Sequence, residues 1–238
     1  MSLKNVRWVD QETLAKSLKE RVYIVTGANS GVGLETTRQL VKQGAHVVMA
    51  CRRPDAGEEA AKTFAGLEGS YEVMRCDLAD LQSVRDFAAE FQGKYNRLDG
   101  LACNAGMANM TGDLGRTKDG LEVTTGISYF GHFLLTELLV DVLKASSPSR
   151  IVLLSSVVHA GSSRNRPAVP LADLKYEKRQ PSNLAIYAEA KVANILYAME
   201  LAERLDGTGV TTSSVHPGWA RSNFGSGAGL PMRIAMGL

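Results

Sequence analysis

The sequence has few cysteines, no long apolar run and almost no net charge, and each shortage excludes a class of protein. The formal net charge is +2 over 238 residues, and lysine and arginine are scattered, so the charge pattern does not indicate a nucleic-acid partner. No uninterrupted apolar stretch reaches the roughly 20 residues that span a bilayer. The opening MSLKNVRWVDQE lacks the apolar core of a signal peptide. We therefore expect a soluble, cytoplasmic chain without a transmembrane segment.

The three cysteines, Cys51, Cys76 and Cys103, are odd in number and have no metal-ligand spacing. Each falls near the end of a predicted strand, where a small buried apolar side chain is the simplest interpretation. A reactive thiol near a ligand is the alternative. We expect no metal site and a reducing compartment.

Apolar strand-like runs alternate with helical patterns along the chain. Strands are predicted at 21–28, 46–51, 71–78, 98–106, 150–157 and 210–218, and helices near 32–43, 56–66, 80–92, 118–145 and 182–205. The strands are almost continuously apolar, as expected when both faces of a parallel sheet are covered. We predict an α/β fold with a doubly wound parallel sheet, in a single domain over residues 1–238. The irregular segment 159–183 is expected to be functional or mobile.

The segment TGANSGVGLETTRQL joins the first predicted strand to the first predicted helix. Gly27 permits a tight turn, Gly31 lets the backbone approach a phosphate, and Gly33 lets the helix pack closely on the strand. The N-terminus of the helix then offers free N–H groups and a partial positive charge to a pyrophosphate. We therefore predict a dinucleotide site here. The other candidate contacts in this loop are Asn29, Ser30 and Val32.

The stretch IYAEAKVANI, residues 186–195, places Tyr187 and Lys191 on one face of an apolar helix, because residues four apart lie one turn from each other. A phenol with a pKa of about 10 is a poor acid–base catalyst at neutral pH. An ammonium roughly 5 Å away, at an effective dielectric constant of about 20, would lower that pKa by roughly 2 units. The pair is therefore a candidate catalytic pair. The alternative is a surface lysine beside a core tyrosine.

Several motifs in order along the chain resemble the short-chain dehydrogenase/reductase family. They are TGANSGVG, CDL (76–78), CNAG (103–106), a serine after the fifth strand, YAEAK and HPG (216–218). The resemblance runs from about residue 20 to 225 and implies a Rossmann fold. ACRR, GHFLLTELL and ASSPSRIV are further similar to the retinol-dehydrogenase-like subgroup, which also resembles the light-dependent protochlorophyllide reductases.

The residues that end the second strand favour NADP(H) over NAD(H). NAD users place a carboxylate there for the ribose 2′-hydroxyl. Here Arg52 and Arg53 follow the strand, and a guanidinium can stack on adenine and hydrogen-bond a 2′-phosphate. The alternative is that both arginines are merely solvated.

The resemblance implies further cofactor contacts. In the family, the aspartate matching Asp77 holds the adenine amino group, and the segment matching Asn104, Ala105 and Gly106 borders the adenine ribose. Asp77 could instead cap a helix, and Asn104 with Gly106 could simply shape a turn. The remaining cofactor-binding positions are Leu78, Pro217 and Gly218.

The resemblance also implies the chemistry. The family tyrosine matching Tyr187 exchanges a proton with the substrate oxygen while hydride moves at the nicotinamide. The lysine matching Lys191 lowers the pKa of that tyrosine and binds the nicotinamide ribose. A serine hydrogen-bonds the substrate oxygen, and of the two candidates, Ser155 and Ser156, the family pattern selects Ser156. We therefore predict an NADP(H)-dependent oxidoreductase that acts on a small-molecule carbonyl or alcohol. The resemblance to the retinol-dehydrogenase-like subgroup implies that this substrate is lipophilic.

Three histidines lie near these motifs. His132 lies on a strongly apolar helix and is expected to be a satisfied core histidine. His216 precedes a Pro-Gly pair and is expected to shape that turn. His159 is close to Ser156 and is a candidate for the substrate pocket.

Two departures from the family pattern favour a rival function. Family members carry an asparagine that kinks the fourth helix and supports a water linking the lysine to solvent, and the anchor GHFLLT places Ser128 there. We expect the Ser128 carbonyl to keep this water, so that the relay is slower but active. The chain also ends about 20 residues after HPG, so we expect a short or truncated lid, or one completed by a second chain.

The rival is an NADP(H)-binding sensor or scaffold with little turnover. A pigment reductase is a weaker alternative, because Trp219 stands where that group carries a cysteine.

The last predicted helix, 182–205, has apolar residues on nearly all sides. Leu184, Ile195, Leu196 and Met199 cannot all face the sheet of one chain. Family members commonly pair through this helix and its predecessor, 118–145, so we expect a homodimer. The alternative is a core helix with a covering loop.

Overall fold

The computed structural model describes residues 9–109, 113–162 and 166–218. One sheet contains the six strands β1 (Val22–Thr26), β2 (His46–Cys51), β3 (Ser70–Arg75), β4 (Gly100–Cys103), β5 (Ser149–Leu154) and β6 (Val210–Val215). All are parallel, in the order β3-β2-β1-β4-β5-β6. The strand order reverses between β1 and β4, and ligands of such sheets bind at the carboxyl ends of the strands at this point. The predicted doubly wound parallel sheet is confirmed.

Helices follow the strands on both sides of the sheet. They are α1 (Gln11–Ala15), α2 (Gly31–Lys42), α3 (Pro54–Ala61), α4 (Leu81–Lys94), α5 (Val123–Thr125), α6 (Gly131–Ala145) and α7 (Asn183–Arg204). A π-helical turn, Gly126–Phe130, joins α5 to α6, and short 3₁₀ turns occupy Lys62–Phe64, Val157–Ala160 and Leu171–Asp173.

The helix predicted from residue 118 begins later than expected. Gly120 has φ +78°, and its N–H donates to the carbonyl of Thr117, so residues 117–120 form a turn. The carboxylate of Glu122 then accepts from the N–H groups of Thr124 and Thr125 at 2.9 and 2.8 Å. A glutamate therefore caps the helix, and this cap fixes its start at Val123.

Two apolar cores cover the two faces of the sheet. In β2, Val48 and Ala50 belong to the core formed with α4, α6 and α7, whereas Val47, Met49 and Cys51 belong to the core formed with α2 and α3. Successive side chains of a strand face opposite sides. Both faces are therefore buried, which explains the nearly continuous apolar pattern of the strands.

The helical stretch Val123–Ala145 is, by length and composition, apolar enough to cross a membrane, with a mean hydropathy of 1.3. Leu135, Leu139 and Leu143 of this stretch are buried against the sheet in the same core as α4 and α7. A core helix passes the same test, and the packing of α6 is that of a core helix.

All three cysteines are buried, as expected. Burial raises the pKa of Cys51 to about 11 and the pKa values of Cys76 and Cys103 to about 12. A thiol with such a pKa is protonated at neutral pH and reacts slowly. In the described parts of the chain, no group of three histidine, cysteine, aspartate or glutamate side chains is placed to hold a metal ion.

Candidate active site

Helix α7 carries the candidate catalytic pair on the face that packs against the end of β5. Nζ of Lys191 lies 5.4 Å from the centre of the Tyr187 ring. It donates a hydrogen bond of 2.8 Å to the carbonyl of Leu154, the last residue of β5. Lys191 is only 2% exposed and Tyr187 only 8%. The alternative of a surface lysine beside a core tyrosine is therefore excluded.

The two candidate serines have different contacts. The hydroxyl of Ser155 is buried and donates to the carbonyl of Lys191 at 2.9 Å, so it fixes the backbone of α7. The side chain of Ser156 is hydrogen-bonded to Tyr187. The structure thus brings Ser156, Tyr187 and Lys191 together in the arrangement that the family pattern implies.

The electrostatics of the pair differ from the sequence-based expectation. Burial raises the pKa of Tyr187 above its ordinary value, and the hydrogen bond with Ser156 offsets only part of this rise. Burial also lowers the pKa of Lys191 to about 8. The predicted fall in the tyrosine pKa is wrong for the protein alone, because loss of hydration disfavours the charged form of both groups.

Ser128 lies in the π-helical turn Gly126–Phe130 and is fully buried. Its hydroxyl donates to the carbonyl of Met107 and accepts from the N–H of Met107, both at 3.3 Å. Its own carbonyl accepts from Nδ2 of Asn194 at 3.2 Å and lies 3.5 Å from Nδ1 of His132. That carbonyl therefore has its partners within the protein. The structure therefore does not support the expectation that this carbonyl holds a relay water, because its acceptor positions are used by Asn194 and His132.

His132 is a satisfied core histidine, as expected. It is fully buried, and its Nε2 lies 2.8 Å from the hydroxyl of Thr26 at the end of β1. Burial, with a smaller effect of the charge on Lys191, lowers the pKa of His132 to about 3. The neutral ring joins β1 to the π-helical turn.

The glycine loop after β1 has the backbone conformations and close contacts that favour glycine at the predicted positions. Gly27 and Gly31 have φ angles of +63° and +54°. A Cβ on Gly33 would lie 2.4 Å from the carbonyl oxygen of Gly27 and 2.5 Å from Nδ2 of Asn104. Ser30 precedes α2 in an extended conformation without a side-chain cap, so the first N–H groups of α2 have no side-chain acceptor from this position. Asn29 is half-buried in this loop, and Val32 is half-buried in the first turn of α2.

The candidate adenosine contacts lie at the ends of β2 and β3. Arg52 and Arg53 are exposed directly after β2. The carboxylate of Asp77 accepts from the N–H of Ala79 at 3.0 Å, whereas Asp80 caps α4. The helix-cap interpretation of Asp77 is therefore wrong. Leu78 is buried beside Gly131.

The segment after β4 joins the nucleotide loop to the catalytic lysine. The N–H groups of Asn104 and Ala105 both donate to the hydroxyl of Thr26 at 2.9 Å, and Nδ2 of Asn104 donates to the carbonyl of Thr26 at 2.8 Å. Asn104 therefore shapes the turn. A Cβ on Gly106 would lie 3.5 Å from Nζ of Lys191, so this glycine borders the lysine.

The remaining predicted positions lie around this centre. His159 is half-buried, and its Nδ1 is hydrogen-bonded to the carbonyl of Ser156. His216, Pro217 and Gly218 follow β6 and are exposed, with φ of +75° at Gly218. Trp219 and the tail after it lie outside the described residues, so the expectation of a short lid stays a prediction.

Sequence reasoning missed two buried polar residues of α7. Glu189 accepts from the hydroxyl of Tyr176 at 2.8 Å and from Nη2 of Arg179 at 3.0 Å, which fastens part of the irregular segment 159–183 to the catalytic helix. Asn194 contacts the carbonyls of Ser128 and Leu154. The available signal was their position in an apolar helix, close to Tyr187 and Lys191.

Comparison with known proteins matches the chain to dehydrogenases. The model of the short chain dehydrogenase family matches residues 21–168. Retinol dehydrogenase 11 of Mus musculus is 45% identical over 209 residues, which are 87% of this chain and 64% of the relative. Retinol dehydrogenase 13 of Homo sapiens is 40% identical over 212 residues, 88% of this chain and 62% of the relative. The chain therefore spans less than two thirds of the length of these relatives.

Solved structures have the same fold. A protein from Mycobacterium Paratuberculosis is 38% identical and superposes with a TM-score of 0.72 over 86% of this chain and 70% of its own. A structure from Beutenbergia cavernae with bound NADP is 26% identical, with a TM-score of 0.71 over 92% of this chain and 80% of its own. The chain belongs to the short-chain dehydrogenase/reductase family, in the subgroup that resembles the retinol dehydrogenases.

Proposed function

We propose that this chain is an oxidoreductase that moves a hydride between NADP(H) and a carbonyl or alcohol group of a lipophilic small molecule. The observation that carries the proposal is the assembly of Ser156, Tyr187 and Lys191 at the carboxyl end of β5. The names of the retinol dehydrogenase relatives support a lipophilic alcohol or aldehyde as the substrate class.

In this proposal Tyr187 holds the proton that moves. A substrate oxygen beside its hydroxyl and that of Ser156 would be hydrogen-bonded by both. Because burial raises the pKa of Tyr187, the phenol is protonated at neutral pH and can donate to a carbonyl oxygen that gains negative charge. The nicotinamide nucleotide supplies or accepts the hydride.

Lys191 would act on both the nucleotide and the tyrosine. Its pKa of about 8 leaves the ammonium mostly charged at neutral pH. One of its three N–H groups donates a hydrogen bond to the carbonyl of Leu154. The other two would donate to the nicotinamide ribose hydroxyls, as the family resemblance implies. The same positive charge stabilises the phenolate that Tyr187 leaves after proton transfer.

The substrate proposal is tested by following NADPH oxidation with aldehydes and ketones that range from short and water-soluble to long and polyene-like. We expect kcat/KM to rise with apolar chain length, and the activity to be lost in Tyr187→Phe. Equal or better turnover of the short carbonyls would contradict the lipophilic substrate class.

The cofactor proposal rests on the two exposed arginines after β2 and is supported by the NADP-bound relative. We expect NADPH to bind at least about tenfold tighter than NADH, a difference of about 1.4 kcal/mol. Arg52→Asp should narrow or reverse that preference, whereas Arg85→Asp, at an exposed arginine of α4, should leave it unchanged. Equal affinities in the unmutated protein would exclude the proposal.

A second candidate function is an NADP(H)-binding sensor with little turnover. It is favoured by the engaged carbonyl of Ser128, which removes the acceptor on which the family's relay water depends. The same substrate panel separates the two functions, because a sensor would bind NADPH and turn over none of the carbonyls. The cytoplasmic location stays a prediction.

A further inference from the structure

Asn194 lies on the catalytic face of α7, three residues after Lys191, and is only 1% exposed. Its Nδ2 donates to the carbonyl of Leu154 at 3.0 Å and to the carbonyl of Ser128 at 3.2 Å. Both protons of the amide nitrogen are therefore used, and the orientation of the amide is fixed by them.

The carbonyl of Leu154 is shared by two donors. Nζ of Lys191 approaches it at 2.8 Å and Nδ2 of Asn194 at 3.0 Å. A carbonyl oxygen accepts through two lone pairs, so the two side chains fill its capacity. While Asn194 occupies one of these positions, the ammonium of Lys191 is held to the other.

Asn194 also joins the lysine anchor to the segment beside Gly106. Its second acceptor, Ser128, lies in the π-helical turn, and the hydroxyl of Ser128 is hydrogen-bonded to the backbone of Met107. The amide thus ties together the end of β5, the π-helical turn and the loop after β4. Two of these segments border the ammonium of Lys191, the end of β5 at Leu154 and the loop after β4 at Gly106.

The cost of this arrangement argues against a purely structural role. Oδ1 of Asn194 is buried and has no hydrogen-bond partner among the described residues. An unpaired buried amide oxygen destabilises a fold, and a leucine of similar size would avoid that cost.

We propose that Asn194 is a positioning residue for the reaction, which holds Lys191 in place through their shared carbonyl and through Ser128. In this chain the amide of Asn194 would then take over part of the role that the asparagine matching Ser128 has in family members. The inference rests on the proposed function for its kinetic readout, but it also makes a prediction on nucleotide binding alone.

The main variant is Asn194→Leu, which keeps the size of the side chain and removes both donors. We expect kcat to fall at least tenfold with the substrate KM within about twofold, and NADPH affinity to weaken threefold to tenfold. The midpoint of thermal unfolding should change little, because the loss of two hydrogen bonds is offset by removal of the unpaired oxygen. A side chain that only stabilised the fold would lower the unfolding midpoint and leave kcat of the folded protein unchanged.

The matched control is Tyr197→Phe, one turn further along α7. It removes a partly buried hydrogen bond of 2.7 Å to Glu137 that is not connected to Lys191. We expect kcat and NADPH affinity in this variant to stay within about twofold of the unmutated protein. If Asn194→Leu does not fold, Asn194→Ser replaces it, with an expected loss of threefold or more in kcat.

The outcomes are separable from those of the proposed function. If the unmutated protein binds NADPH but reduces no carbonyl, the proposed function fails, and the NADPH titration still decides the role of Asn194. Unchanged NADPH affinity together with kcat within twofold in the folded variant would overturn the inference.

Discussion

The two faces of helix α7 differ, and each contains side chains that are unusual for its position in a lone globular protein. The buried face carries Lys191 and Asn194, both polar and nearly inaccessible. The outer face carries Leu196 and Met199, which are 51% and 59% exposed. Polar groups inside and apolar groups outside both cost stability, so each face indicates a requirement beyond the folding of this chain.

The helix remains part of the core despite these side chains. Ile186, Tyr197 and Leu201 are buried between its two unusual faces. Ser182 caps the start, where its side chain accepts from the N–H of Ala185, and Arg204 pairs with Glu137 near the end. The buried face includes Tyr187 and Lys191 because the proposed chemistry needs a proton donor and a cation. The predicted homodimer would cover the exposed apolar side chains of the outer face.

The largest effect should come from the buried face. Tyr187→Phe removes the proton and leaves the ring, so turnover should fall by roughly 10²–10⁴-fold. NADPH affinity should stay within about twofold, because the phenol ring and Lys191 remain. Initial rates and a binding titration measure both quantities. Full activity in the variant would mean that another group donates the proton.

A buried group on the neighbouring helix α6, His132, should also make the protein sensitive to acid. The pKa of His132 is lowered from 6.5 to about 3, so between these values the unfolded chain binds a proton that the native protein does not. The free energy of unfolding should therefore fall by about 1.4 kcal/mol per pH unit as the pH drops below about 6.5, from this group alone.

Denaturant unfolding between pH 4 and 7 tests this, with His132→Asn as the comparison. The variant is expected to be less stable at pH 7 because it loses the contact with Thr26, but its stability should depend less on pH. Parallel pH profiles of the two proteins would show that other groups cause the acid sensitivity.

The outer face should control assembly, where the expected effect is a change of at least about tenfold in a dissociation constant. Leu196→Glu places a charge on the apolar face of α7 and should convert a dimer to a monomer at micromolar concentration. The matched control is Leu171→Glu, since Leu171 is 81% exposed on the segment before α7 and lies outside that face. Light scattering that shows a monomer for the unmutated protein would reject the predicted dimer.

A smaller effect is expected at the edge between the two faces. Glu189→Gln keeps the shape of the side chain but weakens its bonds to Arg179 and Tyr176, which hold the segment that packs on α7. We expect the substrate KM to rise threefold to tenfold with kcat nearly unchanged, since Tyr187 and Lys191 are not touched. A fall in kcat at constant KM would place Glu189 in the chemistry.

The sequence predicted the local features of this molecule better than the contacts between distant segments. The four inner strands were found because their apolar runs are nearly continuous, although the edge strands β3 and β6 carry several polar residues. The glycine loop and the Tyr187–Lys191 pair were found because each depends on short spacing. Helix α1 was missed, since its side chains are not buried and Gln43, far along the chain, holds it by hydrogen bonds to Thr13 and Lys16. The contacts of Asn194 and Glu189 were missed for the same reason.

The smallest effect is expected at Ser128, where sequence and structure lead to different predictions. From the family pattern, Ser128→Asn should raise turnover several-fold, because an asparagine would restore a relay water beside Lys191. In the structure, the carbonyl that would hold this water is engaged by Asn194 and His132. We therefore expect turnover to stay within about twofold and the solvent deuterium isotope effect to stay unchanged.

The comparison of Ser128→Asn with Asn194→Leu then decides which residue controls the lysine. If the amide that matters is on α7, only the Asn194 variant should lose turnover and NADPH affinity. A Ser128→Asn protein with higher turnover and a smaller isotope effect would show that proton supply limits the rate and that the π-helical turn can still host the relay. In that case Asn194 would hold Lys191 in place without determining the rate of turnover.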